Sequence, residues 1–296
     1  AAEDRILRSV DDCTLYLTVI SSEYWPRVIY SVPVWFHVIY RTDGTGNIPE
    51  YRIRDQITVL NEDFRALPGT MGCEGIDSRI QFTLAGITRT MNDDWYNNLD
   101  WEYEDAYKKA LNVDPSRYVN IYTSAAGGYL GYTYYPQNGV AGQYYDGIVL
   151  NSQVVGGRNN GLLPLYDQGR TLVHEMGHYL GLFHTFEGLG GMCTNTYSSG
   201  DLIVDTPGEA EEHYQCVQTS TCGSPDPIHN YMNYTPDACM HMFSREQSNR
   251  AVCGLINYRP LLYRIAWKPD TGGSQDEPGL SFIPPALLPL LIFGSR

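Results

Sequence analysis

The feature that most constrains this chain is a run of eleven residues, His174 to His184, in which three histidines and one glutamate stand at fixed spacing. His174 and His178 are four residues apart, so on a helix both imidazoles leave the same face and can bind one metal ion. Gly181 can adopt the left-handed conformation that ends a helix and turns the chain back. That turn brings His184 toward the same ion as a third ligand.

Three histidine ligands leave one position of a tetrahedral zinc ion open, which is typical of a catalytic site and not of a closed structural site. A His-x-x-x-His pair alone is often two surface histidines on a helix. Here the apolar residues around the pair recur at helical spacing: Leu172, Val173, Met176, Tyr179 and Leu180. The run therefore predicts a catalytic zinc site. Glu175, between two ligands, is the candidate general base for a water molecule, with a solvated helix glutamate as the alternative.

The composition excludes some partners and favours one compartment. The 296 residues carry a formal net charge of −14 and a pI near 4.8, so nucleic acid and anionic membranes would repel the chain. Seven cysteines, several in stretches rich in Gly, Ser, Thr and Pro, favour disulfides and an oxidising environment. We therefore expect a secreted, extracellular protein. No pattern in the sequence indicates an oligomeric state.

Strand and helix patterns alternate before the zinc motif. Strands are predicted at residues 32–40, 79–87, 118–123 and 147–151, with an extended segment at 129–135. Helices are predicted at residues 53–64 and 103–111. His37, inside the first strand, is expected to be a core or sheet histidine and not a metal ligand. The alternation predicts a mixed sheet backed by helices, with the motif helix beneath it.

The chain changes character after His184. Residues 185 to about 240 are rich in Gly, Thr, Ser, Pro and Cys without periodicity, so disulfides, bound ions or both are expected to order them. Ser244 and Gln247 form a capping box that opens a helix to about Tyr258. Four parts follow: an N-terminal extension or pro-segment remnant (1–31), an upper catalytic subdomain with the sheet and zinc helix (32–184), a lower catalytic subdomain (185–262) and a C-terminal tail (263–296).

The pattern His-Glu-x-x-His-x-x-Gly-x-x-His is the signature of the metzincin metalloproteases, which carry a methionine turn below the zinc. Residues Asn230 to Met240 resemble the Met-turn of the pappalysin family, which includes secreted bacterial and fungal members. Shorter similarities lie at residues 60–64, 131–132, 146–147, 184–186, 205–207 and 226–231. The resemblance covers about residues 33–259. It implies an α+β, zincin-like fold: a mixed twisted sheet with a backing helix and an active-site helix, and a smaller irregular C-terminal subdomain with a C-terminal helix.

The resemblance also implies roles for residues of the turn. Met232 is expected to pack under the imidazoles as an apolar floor and, with Gly181, to be a structural residue of the site. Tyr234 resembles the family tyrosine whose hydroxyl stabilises the oxyanion, although with 24 tyrosines in the chain a packing role is the alternative. Family members often carry an acid where Asn233 stands. Some relatives prefer Arg or Lys after the cleaved bond; Asp237 is a candidate for the matching charge, with a solvated acid as the alternative.

Oxygen-bearing side chains concentrate in one acidic stretch, as calcium binding requires: Asp201, Asp205, Thr206 and Glu209. A solvated acidic loop is nearly as consistent with this spacing. The resemblance favours calcium, because relatives bind that ion in this region. The predicted cofactors are therefore one catalytic Zn²⁺ and a structural Ca²⁺.

Four cysteines fall in the aperiodic part, and the resemblance suggests one of their three possible pairings: Cys193 with Cys222 and Cys216 with Cys239. For the other three we weigh two arrangements. In one, a Cys13 thiolate fills the open zinc position and keeps the enzyme latent. In the other, Cys13 pairs with Cys73 while Cys253 is buried on the last helix.

These observations predict a secreted zinc-dependent metalloendopeptidase that hydrolyses peptide bonds of protein or peptide substrates. The alternatives are a non-catalytic binding or adhesion module with a zincin fold, which an intact Glu175 argues against, and a metzincin of another family, which the Met-turn neighbourhood argues against. The apolar run at 282–293 is too short and too rich in proline to span a membrane. It is consistent with a lipid-anchor signal or a disordered tail.

Overall fold

The computed structural model describes residues 10–98, 100–157, 160–187 and 193–268. The strands are β1 (Ile29–Tyr40), β2 (Ile80–Met91), β3 (Val119–Ser124), β4 (Gly131–Thr133), β5 (Ile148–Asn151) and β6 (Trp267–Lys268). The α-helices are α1 (Glu50–Phe64), α2 (Asp93–Asn97), α3 (Trp101–Leu111), α4 (Arg170–Tyr179), α5 (Arg245–Tyr258) and α6 (Pro260–Ala266).

One mixed sheet joins all these strands. Its order is β2-β1-β3-β5-β4, and β6 pairs antiparallel with the start of β1. Strands β2, β1, β3 and β5 run parallel, whereas β4 is antiparallel to β5 and lies at the edge of the sheet. The zinc helix α4 contacts β4, β5 and α1. This arrangement confirms the predicted fold class and sets the edge strand directly beside the motif helix.

Both faces of the sheet are apolar, as expected for parallel strands covered on both sides. Val34, Phe36 and Val38 of β1 belong to a core that also contains residues of α1 and α4. Ile39, on the opposite face of β1, packs with aromatic residues of α2 and α3 such as Tyr96. The alternation along β1 therefore separates a core that supports the zinc helix from one that supports the outer helices.

His37 is a sheet histidine, as expected. It is fully buried, its Nδ1 lies 2.7 Å from Thr88 Oγ1, and its Nε2 lies 2.8 Å from Asn120 Oδ1. Its ring stacks on Tyr122 at 4.7 Å between centroids. Burial lowers the pKa of His37 to about 4, so it is a neutral packing residue at ordinary pH.

Both arrangements predicted for Cys13, a thiolate that fills the open zinc position and a disulfide with Cys73, are wrong. Cys13 is bonded to Cys253 on α5, and Cys73 is free and exposed. The reason is the N-terminal segment, which packs on α5 where the buried Arg250 guanidinium donates to the Thr14 and Leu17 carbonyls. This packing buries Cys13 beside α5 and removes the thiolate that a latency switch would need.

The structure contains the other two disulfides as the resemblance suggested: Cys193–Cys222 and Cys216–Cys239. The predicted start of the C-terminal tail, residue 263, falls inside α6, which opens with Pro260 at a position suited to proline. The apolar run at 282–293 lies outside the described residues. In the described part of the chain, no helix combines the length and apolar character needed to cross a bilayer.

We predict that iodoacetamide alkylates Cys73 alone in the folded, unreduced protein, because Cys73 is exposed and the other six cysteines are paired. Peptide mapping without reduction should yield a cross-linked pair of peptides that contain Cys13 and Cys253. Recovery of a Cys13–Cys73 pair would contradict the structure.

Candidate active site

The end of helix α4 brings the three histidines together. His174 and His178 lie on α4, and Gly181, two residues after the helix ends, has a φ of 95°, which a residue with a side chain rarely adopts. The Nε2 atoms of His174 and His178 are 3.0 Å apart, and His184 Nε2 lies 3.2 Å and 2.9 Å from them. The predicted ligand set therefore converges on one point.

Hydrogen bonds orient two of these rings. A backbone carbonyl only accepts, so His174 Nδ1 donates to the Tyr231 carbonyl at 2.7 Å and His178 Nδ1 donates to the Leu182 carbonyl at 2.8 Å. Both Nε2 atoms are then unprotonated and point at the third histidine. Tetrahedral zinc bound by nitrogen at about 2.0–2.1 Å would hold such atoms about 3.3 Å apart. The donor set fits zinc in both spacing and chemistry.

Burial keeps the imidazoles neutral, which is the form that binds a metal. It lowers the pKa of His174 to about 4 and that of His184 to about 2, and it lowers the pKa of His178 well below the usual range for histidine. At ordinary pH, the Nε2 atoms of His174 and His178, whose Nδ1 atoms carry the ring protons, are free to bind a metal.

Glu175 lies beside the ligands in the same cleft, which has a volume of about 600 Å³. The side chain is buried, and its Oε2 has no hydrogen-bond partner among the described residues. Burial raises the pKa of Glu175 to about 8. Gly131 on β4 lies against it, because a Cβ there would come within 3.0 Å of Glu175 Cγ. The edge strand thus forms one wall of the cleft over this carboxyl group.

The segment around Met232 forms the floor of the site. A Cβ at Gly177, between the two helical histidines, would lie 2.4 Å from Met232 Sδ. Asn230 accepts a hydrogen bond from the Met232 backbone N–H at 2.9 Å, and its amide exchanges two hydrogen bonds with Gln247 of the α5 capping box. The turn is therefore tied to α5 while its methionine sulfur packs directly under α4.

Tyr234 lies next to the ligands. Its ring centroid is 4.7 Å from that of His184 and 5.7 Å from that of His174. Phe186 stacks on His184 at 4.8 Å, nearly parallel to its ring, and also contacts Tyr234 at 4.8 Å between centroids. Burial raises the pKa of Tyr234 to about 12, so its hydroxyl remains protonated and able to donate at ordinary pH.

The carboxylates among the four predicted calcium ligands each accept a hydrogen bond from a hydroxyl group. Asp201 accepts from Thr206 Oγ1 at 2.6 Å, whereas Asp205 accepts from Ser244 Oγ at 2.6 Å at the start of α5. Glu209 accepts from Thr185 Oγ1 at 2.6 Å. Each carboxylate thus has a donor within the protein and keeps lone pairs for a cation, so calcium binding stays a prediction.

Asp237 is a buried residue of the cleft and not a solvated acid. Its Oδ2 accepts from the backbone N–H groups of Gln168 and Arg170 at 2.8 Å and 3.2 Å. Its Oδ1 has no hydrogen-bond partner among the described residues, and the residue lines the same cleft as Glu175. Burial raises the pKa of Asp237 to about 6, so the carboxylate is mostly ionised at neutral pH.

Sequence reasoning missed two contributors to the site. Gly177 carries the close contact with Met232, and a glycine in the interior of a helix is a signal of such a contact. Phe186, which is 4% exposed and covers the His184 ring, had no signal in the sequence beyond its neighbourhood.

Comparisons with known proteins agree with this geometry. A family model described as Pregnancy-associated plasma protein-A, Peptidase_M43, matches residues 102–256. Extracellular metalloprotease 1 of Coccidioides posadasii (strain C735) is 37% identical over 229 residues, which is 74% of each protein. An extracellular metalloprotease of Colletotrichum graminicola is 36% identical over 229 residues, again 74% of each.

Two solved structures are similar over most of the chain. A mirolysin complex is 30% identical with a TM-score of 0.71, and the match covers 81% of this chain and 97% of that one. A Tannerella forsythia promirolysin mutant is also 30% identical with a TM-score of 0.70, and the match covers 82% of this chain and 87% of that one.

We predict that Gly177→Ala lowers the free energy of unfolding by about 1–3 kcal/mol, because the added methyl group displaces the Met232 side chain. Denaturant unfolding of the zinc-loaded protein measures this loss. Met232→Ala in the same chain makes room for the methyl group, so the double variant should lose less than the sum of the single losses. Wild-type stability in Gly177→Ala would contradict the contact.

Proposed function

We propose that His174, His178 and His184 hold a catalytic zinc ion and that Glu175 is the general base, because this chain belongs to the pappalysin family of metalloproteases (peptidase M43). The chain is a secreted zinc metalloendopeptidase that acts on protein or peptide substrates. The observation that carries the proposal is the convergence of three Nε2 atoms within 2.9–3.2 Å, in one cleft with a buried, unpartnered Glu175 oxygen.

Glu175, Tyr234 and Met232 have separate roles in the proposed hydrolysis. When bound, zinc acts as a Lewis acid that makes water a better nucleophile near neutral pH. The positive charge of bound zinc would lower the raised pKa of Glu175, so that Glu175 Oε2 takes a proton from the attacking water and later delivers it to the leaving nitrogen. The Tyr234 hydroxyl donates to the oxygen of the former carbonyl, where negative charge develops. Met232 keeps the imidazoles in place from below.

We propose that the cleft divides the catalytic unit into the two predicted subdomains, residues 32–184 above and residues 185–262 below. Lining residues from β4 on one side and from the Met232 turn on the other support this division. Calcium binding by Asp201, Asp205, Thr206 and Glu209 stays a prediction, since a carboxylate that accepts a hydroxyl hydrogen bond keeps lone pairs for a cation.

We also propose that Asp237 selects substrates with Arg or Lys after the cleaved bond. Its unpartnered Oδ1 offers a buried negative charge in the same cleft as Glu175. A guanidinium or ammonium group would satisfy this oxygen, whereas an apolar side chain would leave it without a partner.

Glu175→Ala is expected to keep zinc and the fold but to lower cleavage of casein about 10²–10⁴-fold, because the proton acceptor is lost and the ligands are not. Zinc content and melting temperature are measured beside activity, and chelation should abolish wild-type cleavage. Glu50→Ala, which removes an exposed glutamate that pairs with Arg54, is the control and should retain activity. Near-normal turnover by zinc-loaded Glu175→Ala would refute the proposed base. If the wild-type protein binds zinc but does not cleave casein, the alternative of a non-catalytic binding or adhesion module with a zincin fold would be favoured.

Asp237→Asn is expected to lower the preference for Arg or Lys over Leu after the cleaved bond by about tenfold or more, because the unpaired charge is removed. Cleavage of a peptide library that varies this position measures the ratio of kcat/KM values. Asp167→Asn removes a nearby acid and should leave the preference intact. If the kcat/KM ratio of Arg or Lys over Leu is unchanged in Asp237→Asn, another residue must determine the selectivity.

A further inference from the structure

We infer that Glu209 is a positioning residue that fixes His184 and Tyr234 relative to each other by holding the chain neighbour of each. The inference rests on the proposed roles of His184 as a zinc ligand and of Tyr234 as an oxyanion donor. Glu209 itself touches neither the metal ligands nor the proposed catalytic groups, so it acts through other residues.

Two donors meet on the Glu209 carboxylate. Thr185 Oγ1 donates to Oε2 at 2.6 Å, and Asn233 Nδ2 lies 2.8 Å and 2.9 Å from the two oxygens. Glu209 is 2% exposed, and Thr185 and Asn233 are fully buried. An ionised carboxylate only accepts hydrogen bonds, so this group can bind both donors at once without competition from water.

Each donor is one residue away from a group of the site. Thr185 follows His184 directly, and its backbone N–H donates to the Met232 carbonyl at 3.2 Å. Asn233 precedes Tyr234, and its Oδ1 accepts from the Tyr234 backbone N–H at 2.7 Å. Glu209 therefore closes a buried ring of contacts between the His184 segment and the Met232 turn.

His184 has particular need of this support. The other two ligands donate Nδ1 to backbone carbonyls, but no hydrogen bond of His184 Nδ1 is found among the described residues; Glu187 Oε2 lies 3.7 Å from it, beyond hydrogen-bond distance. The orientation of the His184 ring depends on Phe186, Tyr234 and the backbone on each side of it. Holding Thr185 fixes that backbone at the adjacent residue.

A second layer holds Glu209 from outside. His213 Nε2 lies 3.4 Å from Glu209 Oε1 and 3.1 Å from Asp226 Oδ2. Asp226 in turn accepts from the backbone N–H and the hydroxyl of Thr221, which precedes Cys222. The ring of contacts is thereby linked to the disulfide-bonded part of the chain.

A double-mutant cycle on the zinc-loaded full chain tests the inference. Glu209→Gln replaces an acceptor by an amide, and Asn233→Asp sets a second carboxylate against Glu209. In the double variant Glu209→Gln/Asn233→Asp, the new amide at position 209 donates a hydrogen bond to the new carboxylate at position 233. The contact is restored with donor and acceptor exchanged. The measurements are kcat and KM on a peptide, the rate of zinc release to a chelator, and the melting temperature.

Each single variant should lower kcat about tenfold and accelerate zinc release, with little change in KM. The double variant should recover most of both losses. Ser78→Ala is the control: it removes another buried hydroxyl that donates at 2.6 Å, to the Phe64 carbonyl, and should lower only the melting temperature.

Two results would overturn the inference. In the first, both single variants keep wild-type kcat and zinc release. In the second, the double variant regains the melting temperature but neither kcat nor zinc retention, which would make Glu209 a stabilising residue only. Zinc release needs no turnover, so it tests the inference even if the wild-type protein cleaves nothing, a result that would instead refute the proposed function.

Discussion

The structure depends on holding three imidazole Nε2 atoms about 3 Å apart. Their lone pairs repel one another unless a proton or a metal cation lies between them, so the surrounding chain must impose this arrangement. Two carbonyl groups impose it directly: Leu182, in the turn after α4, and Tyr231, in the segment before Met232. Residues more than forty positions apart in sequence must therefore be assembled before the ligand set is complete, which couples zinc binding to folding.

The ends of the described chain contribute to the same arrangement. The Gly181 carbonyl, in the turn that leads to His184, accepts from Arg250 Nε at 2.9 Å. The same guanidinium holds the carbonyls of Thr14 and Leu17, and the Cys13–Cys253 disulfide fixes that segment on α5 across 240 positions of sequence. The segment that sequence analysis set aside as an extension therefore buttresses the turn of the third ligand.

Sequence patterns predicted what local spacing determines. The proposed ligands, the turn at Gly181 after α4, and the main strands and helices follow from periodicity and residue type within short windows. The errors arose where distant packing decides the outcome. Cys13 pairs with Cys253 because the N-terminal segment packs on α5, where Arg250 donates hydrogen bonds to its carbonyl groups. The short elements α2, α6 and β6 were missed because a few residues carry no periodic signal.

The buried carboxylates described in this chain differ in whether each oxygen has a hydrogen-bond donor or a cationic partner. Glu209 has donors on both of its oxygens, whereas Asp63 and Glu104 each have an oxygen without a hydrogen bond but a cationic partner. Among the described buried acids, Glu175 Oε2 and Asp237 Oδ1 have neither a hydrogen bond nor a direct ion pair, although the charge of Arg170 favours ionised Asp237, and both residues line the cleft. A buried carboxylate oxygen without a partner destabilises the folded protein, so its retention is best explained by a partner that arrives for the reaction: the attacking water at Glu175 and a cationic substrate side chain at Asp237. Both oxygens of Glu209, by contrast, have hydrogen-bond donors within the protein. Glu209 therefore belongs with the residues that hold the site in place and not with those that act on the substrate.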